Sequence, residues 1–152
     1  MADFSTSIDI DAPAEVVYEH LVTVEGLLAW MGQHAELHAA PGGEFSVDIN
    51  GAAIRGRYLE LERPRRVVVS WGMAGSDDFP PGSSQVEFVL TAHGDGTRLD
   101  LHHTGLPDGR RDGYSTGWLH FLAQLQKITT ERRRDGTAAS SPEARPDIDA
   151  QR

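Results

Sequence analysis

The sequence predicts an α+β domain in which a curved antiparallel sheet of about six to seven strands wraps a long C-terminal helix, with two short helices after strand one. Three patterns carry that expectation. Residues 34 to 104 alternate apolar with polar side chains between clusters of Gly and Pro. Trp118, Phe121, Leu122, Leu125 and Ile128 recur every three or four residues. A short helical pattern between residues 13 and 30 separates the first strand from the rest.

Taken in chain order, Phe4, Ile8 and Ile10 alternate with polar residues as a half-buried strand does. Pro13 suits the first position of a helix and Glu15 its electropositive first turn, with Val16, Val17 and Leu21 on one face, so a helix is expected over 13–22. Val24 to Trp30 adds a second short helix before Gly32 interrupts. In the meander, Pro41-Gly42-Gly43 turns into Phe45, Val47 and Ile49, and Asn50-Gly51 has the composition of a tight hairpin returning through 54–61. Arg63-Pro64-Arg65 closes the next turn, Val67 to Trp71 is strongly β-prone, and loop 72–84 leads to Val86, Phe88 and Leu90. Gly94-Asp95-Gly96 then turns into Leu99, Leu101 and His103. The final apolar stripe must dock on the sheet, each side chain contributing on the order of 1.5–3 kcal/mol before entropy. Cationic residues of Glu131-Arg132-Arg133-Arg134 sit near its negative end, and Gly136 is the expected stop. The folded domain is expected over 1–134, with 135–152, poor in large apolar residues, as a disordered polar tail.

Composition excludes several functions. The 152 residues suit one domain, and 23 acidic against 14 basic side chains give a net charge of −9, which repels nucleic-acid phosphates and anionic membranes. Without cysteine there is no disulfide framework and no thiolate metal site, which suits a reducing cytoplasm. The N-terminal residues lack the basic and apolar regions of an export leader, and no apolar run approaches the ~18 residues of a membrane span. His34 and His38 are four apart but fall near a strand with no third ligand, so no metal is expected; His102 and His103 point to opposite faces of theirs. No serine sits in a nucleophile elbow and no glycine turn opens a helix as a phosphate loop does, so no cofactor is expected either.

Alternation also assigns an inner face, where a bent sheet leaves room for a hydrophobic pocket beneath the last helix. On that face fall Phe45 and Val47; Tyr58 and Glu60; Val69 and Trp71; Phe88; and Leu101 with His103. Trp30, Trp118 and Leu122 flank the space from the helical side. Two readings stay open for Glu60 and His103: recognition or proton transfer in an apolar pocket, or mutual hydrogen bonding without chemistry. The tryptophans likewise either clamp a planar ligand or simply pack.

A collinear series of short motifs runs over roughly residues 4 to 130: Ile10-Asp11-Ala12-Pro13, Val17 with Leu21, Trp30, Gly42-Gly43-Glu44-Phe45 and Gly56-Arg57-Tyr58-Leu59-Glu60, then Pro64-Arg65-Arg66-Val67, Ser70-Trp71, Gly96-Thr97-Arg98-Leu99, His103 with Gly105-Leu106, and Gly117-Trp118. In this order they resemble the activator-of-Hsp90-ATPase-like (AHSA1-like) domains of the START and Bet v 1-like (SRPBCC) superfamily. The resemblance implies the helix-grip fold. Members range from ligand carriers to polyketide cyclases to co-chaperones, so it implies a binder of a small hydrophobic, aromatic or polycyclic molecule. The alternatives are a cyclase or dehydratase using His103 and Glu60, a protein-interaction module of the co-chaperone kind, or a self-resistance protein that sequesters a natural product. The chain is expected to be cytoplasmic and a monomer or weak dimer.

Overall fold

The computed structural model describes residues 2–139. Strand β1 (Ala2–Ile10) leads into two short helices, α1 (Ala14–Val22) and α2 (Val24–Leu28). Six strands follow: β2 (His34–Leu37), β3 (Glu44–Ile49), β4 (Ala52–Glu62), β5 (Arg66–Trp71), β6 (Ser84–His93) and β7 (Gly96–Leu106). A 3-10 turn at Asp108–Arg110 then opens the long helix α3 (Arg111–Ala139). All seven strands join one antiparallel sheet in the order β1-β7-β6-β5-β4-β3-β2, the helix-grip arrangement that the sequence predicts. None of the helices among the described residues is long and apolar enough to cross a membrane.

Turn chemistry accounts for much of this order. Asn50 and Gly51 both adopt positive φ, 48° and 90°, the geometry of a two-residue hairpin turn whose twist matches its strands. That turn fixes β3 against β4, with Val47 opposite Ile54 and Phe45 opposite Gly56. Helix α2 starts where the Thr23 hydroxyl accepts the Gly26 N–H at 3.0 Å, and α1 ends where the Tyr58 hydroxyl donates to the Leu21 carbonyl at 2.9 Å. The helix pair is thereby tied to the middle of the sheet.

Strand β4 is the corner. Its first half pairs with β3 and its second half with β5, and between Tyr58 and Glu60 the register slips by one residue, a β-bulge. Beside the bulge the β5 backbone passes so close that a Cβ on Gly56 would lie 1.8 Å from the Ser70 carbonyl oxygen. The core fills the space between this bent sheet and the helices, from Phe4 and Ile10 through Val67, Leu99 and Leu101 to Trp118, Leu122 and Leu125.

Helix α3 begins well before its apolar stripe and runs past its expected stop. It begins at Arg111, seven residues before the apolar stripe, following the 3-10 turn that Pro107 caps, and Tyr114 of its first turn packs against the core. It also passes through Gly136 and continues to Ala139, since one glycine in a helix costs only about 1 kcal/mol relative to alanine. The part of the expected tail from residue 140 onward lies outside the described residues.

A Gly56→Ala substitution is expected to destabilise the fold by about 2 kcal/mol or more, since two backbones must separate to admit the methyl group. Urea denaturation monitored by tryptophan fluorescence measures this; an unchanged midpoint would mean that the corner is not held by backbone contact.

Candidate functional site

Trp71, the last residue of β5, is 1% exposed and forms the hub of an aromatic cluster. Phe45 from β3 lies 5.7 Å away, His103 from β7 5.8 Å, and Trp118 and Tyr114 from α3 5.3 and 6.3 Å, ring centre to ring centre. Phe79 from the β5–β6 loop closes the far side, edge-on to Tyr114 at 5.6 Å.

The indole and imidazole nitrogens inside this cluster all have partners. The Trp118 indole N–H donates to His103 Nδ1 at 3.1 Å; an indole nitrogen only donates, so Nδ1 accepts and the ring proton is on Nε2. Nε2–H in turn donates to the Ser84 hydroxyl at 2.9 Å, and that hydroxyl donates to the Trp71 carbonyl at 2.8 Å. The Trp71 indole N–H donates to the Tyr114 hydroxyl oxygen at 3.0 Å. Burial pushes the His103 imidazole down to about 3, so it is neutral at physiological pH with both nitrogens engaged.

His103 therefore faces inward as alternation predicts, but Glu60 does not join it. The bulge at Leu59 reverses the parity of β4, so Tyr58 and Leu61 face the core while Glu60 lies exposed on the outer surface, paired with Arg66. The expected Glu60–His103 pair is not formed. Trp30 is also placed away from Trp71 and Trp118: its indole N–H donates to the His20 carbonyl at 2.9 Å, locking α2 onto α1. Tyr58, Val69, Phe45, Val47, Phe88, Leu101 and Leu122 are buried in the continuous core.

Space remains at one end of the cluster. A groove of about 620 Å³ runs between the β3–β4 hairpin and the first turns of α3, a size that suits a small organic molecule. Its walls are Ile49, Ala52 and Ile54 on one side and Gly113, Tyr114, Gly117 and Phe121 on the other, with Trp71 and Trp118 between them and Asn50, Arg110, Thr116 and His120 among the lining. Of the residues expected to bind ligand, Trp71 and Trp118 line this groove. Sequence reasoning missed Tyr114 and the glycines, whose spacing is their signal: Gly109, Gly113 and Gly117 recur every four residues, and a Cβ on any of them would meet no atom within 4 Å. A larger depression of about 1060 Å³ lies on the outer face, where Asp3, Glu44, Arg55 and Arg57 put charged groups beside Leu59 and Pro81.

The β5–β6 loop is pinned to the start of α3. Arg110 donates twice to Asp78 at 3.1 Å and lies 5.2 Å over the Phe79 ring, while the Phe79 N–H donates to the Ser76 hydroxyl. The Arg110 hydrogen bonds hold the Asp78 carboxyl down to about 2. Phe79 is thus wholly buried although its loop is rich in Gly, Pro and Asp.

Comparison with known proteins agrees with this architecture. The family model described as Activator of Hsp90 ATPase homolog 1-like protein matches residues 11–130. Among solved structures, the AHSA1-like protein from Rhizobium etli is 36% identical, the match covering 84% of this chain and 81% of that one with a TM-score of 0.69. CalU16 from Micromonospora echinospora is 27% identical, with 90% and 86% covered and a TM-score of 0.65. An HSP90 activator from Plasmodium falciparum is 24% identical, with 84% and 96% covered and a TM-score of 0.72. A search of curated proteins finds no match.

The buried imidazole makes stability depend on pH. Its folded-state value lies below the ordinary 6.5, so between about 6.5 and 3 the unfolded chain binds a proton that the native state refuses, and stability falls as pH falls. His103 alone is expected to remove about 1 kcal/mol between pH 6 and 5. Denaturation of the parent and of His103→Gln across this range checks the assignment, the variant losing that part of the slope; identical slopes would show that the imidazole is not enclosed.

Proposed function

This chain belongs to the Activator of Hsp90 ATPase homolog 1-like family, and on that footing we propose that it binds a small, flat, largely apolar molecule in the groove between the β3–β4 hairpin and α3, without turning it over. The observation that carries this reading is the open face of α3. Glycine at 113 and 117 weakens the helix by about 1 kcal/mol at each position relative to alanine, and no neighbouring atom requires the missing side chains. What the glycines leave is a concavity walled by Ile49, Ala52, Tyr114 and Phe121 and floored by the enclosed indoles, which suits a flat apolar guest.

Two further observations favour binding over catalysis and over a protein interface. The two residues that the sequence nominates for acid–base chemistry are separated, His103 neutral and enclosed, Glu60 outside and ion-paired. A cyclase or dehydratase needs a proton donor or acceptor within reach of its substrate, and neither group supplies it. The large apolar side chains exposed among the described residues, Val24, Leu59 and Leu119, lie on three different elements, whereas the groove gathers its apolar atoms in one concavity. Sequestering a natural product would use the same groove in the same way.

A neutral fluorophore, N-phenyl-1-naphthylamine, is expected to bind saturably with a rise in emission, and Gly117→Leu to weaken that binding at least tenfold. The leucine should leave the melting temperature unchanged or higher, because it replaces a helical glycine and points into open space. Absence of saturable binding, or equal affinity in the variant, would remove this function.

A further inference from the structure

The depth of the groove contains one polar hydrogen that the protein does not use. Both indole N–H groups are spent, Trp118 on His103 Nδ1 and Trp71 on the Tyr114 oxygen. The Tyr114 hydroxyl accepts that bond, and its own proton has no acceptor among the described residues. Its ring is held edge-on by His103 at 5.1 Å, Phe79 at 5.6 Å and Trp71 at 6.3 Å, with interplanar angles of 78°, 70° and 80°. A phenolic O–H lies in the plane of its ring and has two orientations there. The Trp71 N–H approaches the oxygen from one side and repels a second hydrogen on that side, which leaves the hydroxyl proton directed away from Trp71.

We infer that Tyr114 is the specificity-determining residue of the groove, donating its hydroxyl proton to a carbonyl-type oxygen on a neutral, flat, conjugated guest seated between the β3–β4 hairpin and α3. This rests on the ligand-binding reading above and deepens it by naming the ligand chemistry. Donation is the role left to the hydroxyl: burial raises its pKa, so it stays a phenol, and one side of its oxygen is already occupied. The neighbouring cation, Arg110, is engaged with Asp78 through Nε and Nη2, and the chain's net charge of −9 works against an anionic guest. A hydrocarbon of the same shape would cover the hydroxyl without giving it an acceptor and would forfeit the water that otherwise serves it. Sites built to pair a buried polar group discriminate strongly against the analogue that lacks the partner.

The test uses the full chain and two probes of one shape: 6-propionyl-2-(dimethylamino)naphthalene, whose emission and carbonyl stretching frequency report hydrogen bonding, and its 6-propyl analogue, which has no carbonyl. The parent protein is expected to bind the ketone about tenfold more tightly than the analogue, with the bound carbonyl stretch lowered relative to a hydrocarbon solvent. In Tyr114→Phe the two probes should bind about equally, the ketone losing its hydrogen bond and the analogue no longer covering an unpaired hydroxyl. The stretching frequency is read on the parent protein, so it stands even where loss of the Trp71 partner destabilises the variant. If the analogue binds but the ketone gains nothing, or keeps its advantage in Tyr114→Phe, or shows a free carbonyl stretch, the role of Tyr114 is wrong while the binding function stands. If neither probe binds, the binding function falls and this assignment falls with it.

Discussion

For α3 to close on the sheet, two indole N–H groups and one imidazole must leave water, and each needs a partner inside. Left unpaired, a buried donor costs on the order of 1–3 kcal/mol, enough to oppose the docking of a whole side chain. The chain answers with a directional series from Trp118 to His103 to Ser84 to the Trp71 carbonyl, and from the Trp71 indole to Tyr114. These bonds link β5, β6, β7 and α3 at a single point, so the position of the helix is set by hydrogen-bond geometry as well as by apolar area. The same bonds make His103 unsuited to chemistry: a ring whose two nitrogens are occupied, in a place where its charged form is penalised, is a structural bracket.

The groove follows from where this cluster stops. Aromatic rings fill the interior between Phe45, Phe88 and Trp118, but α3 presents glycine where its first turns pass the β3–β4 hairpin. A helix that carried leucine at 113 and 117 would fill that space with side chains. The empty volume is thus located by helix register, and its chemistry by the side chains that remain: aromatic and aliphatic groups with one phenol, and Asn50, Arg110, Thr116 and His120 among them. The β5–β6 loop supports one wall from behind, since Phe79 packs edge-on to Tyr114 and under Arg110, both of which line the groove.

Strand β4 shows how one local irregularity redirects function. Glu60 and Tyr58 are two apart and share a face in a regular strand; with one extra residue between them, the carboxylate is outside, bound to Arg66, and the phenol is inside, bound to the end of α1. Nothing in the composition of Tyr58-Leu59-Glu60 announces the bulge. It arises because β4 must bend to serve both β3 and β5, with Gly56 admitting the close approach of Ser70.

Periodicity and turn residues alone determined the element order, the meander of about six strands after the helix pair, the inward direction of Trp71, Leu101 and His103, and the apolar stripe from Trp118 to Ile128, because these depend on repeats of two and of three to four that any window of the chain displays. Tertiary structure decided the rest. Which tryptophans meet a groove, where β4 slips, how Phe79 reaches the core from a polar loop, and which nitrogen of His103 holds the proton all depend on contacts between segments tens of residues apart, such as Trp71 with Tyr114 and Ser84 with His103. A single strand cannot register the partner that bends it, and a glycine row in a helix becomes a binding surface only when another element stands across from it.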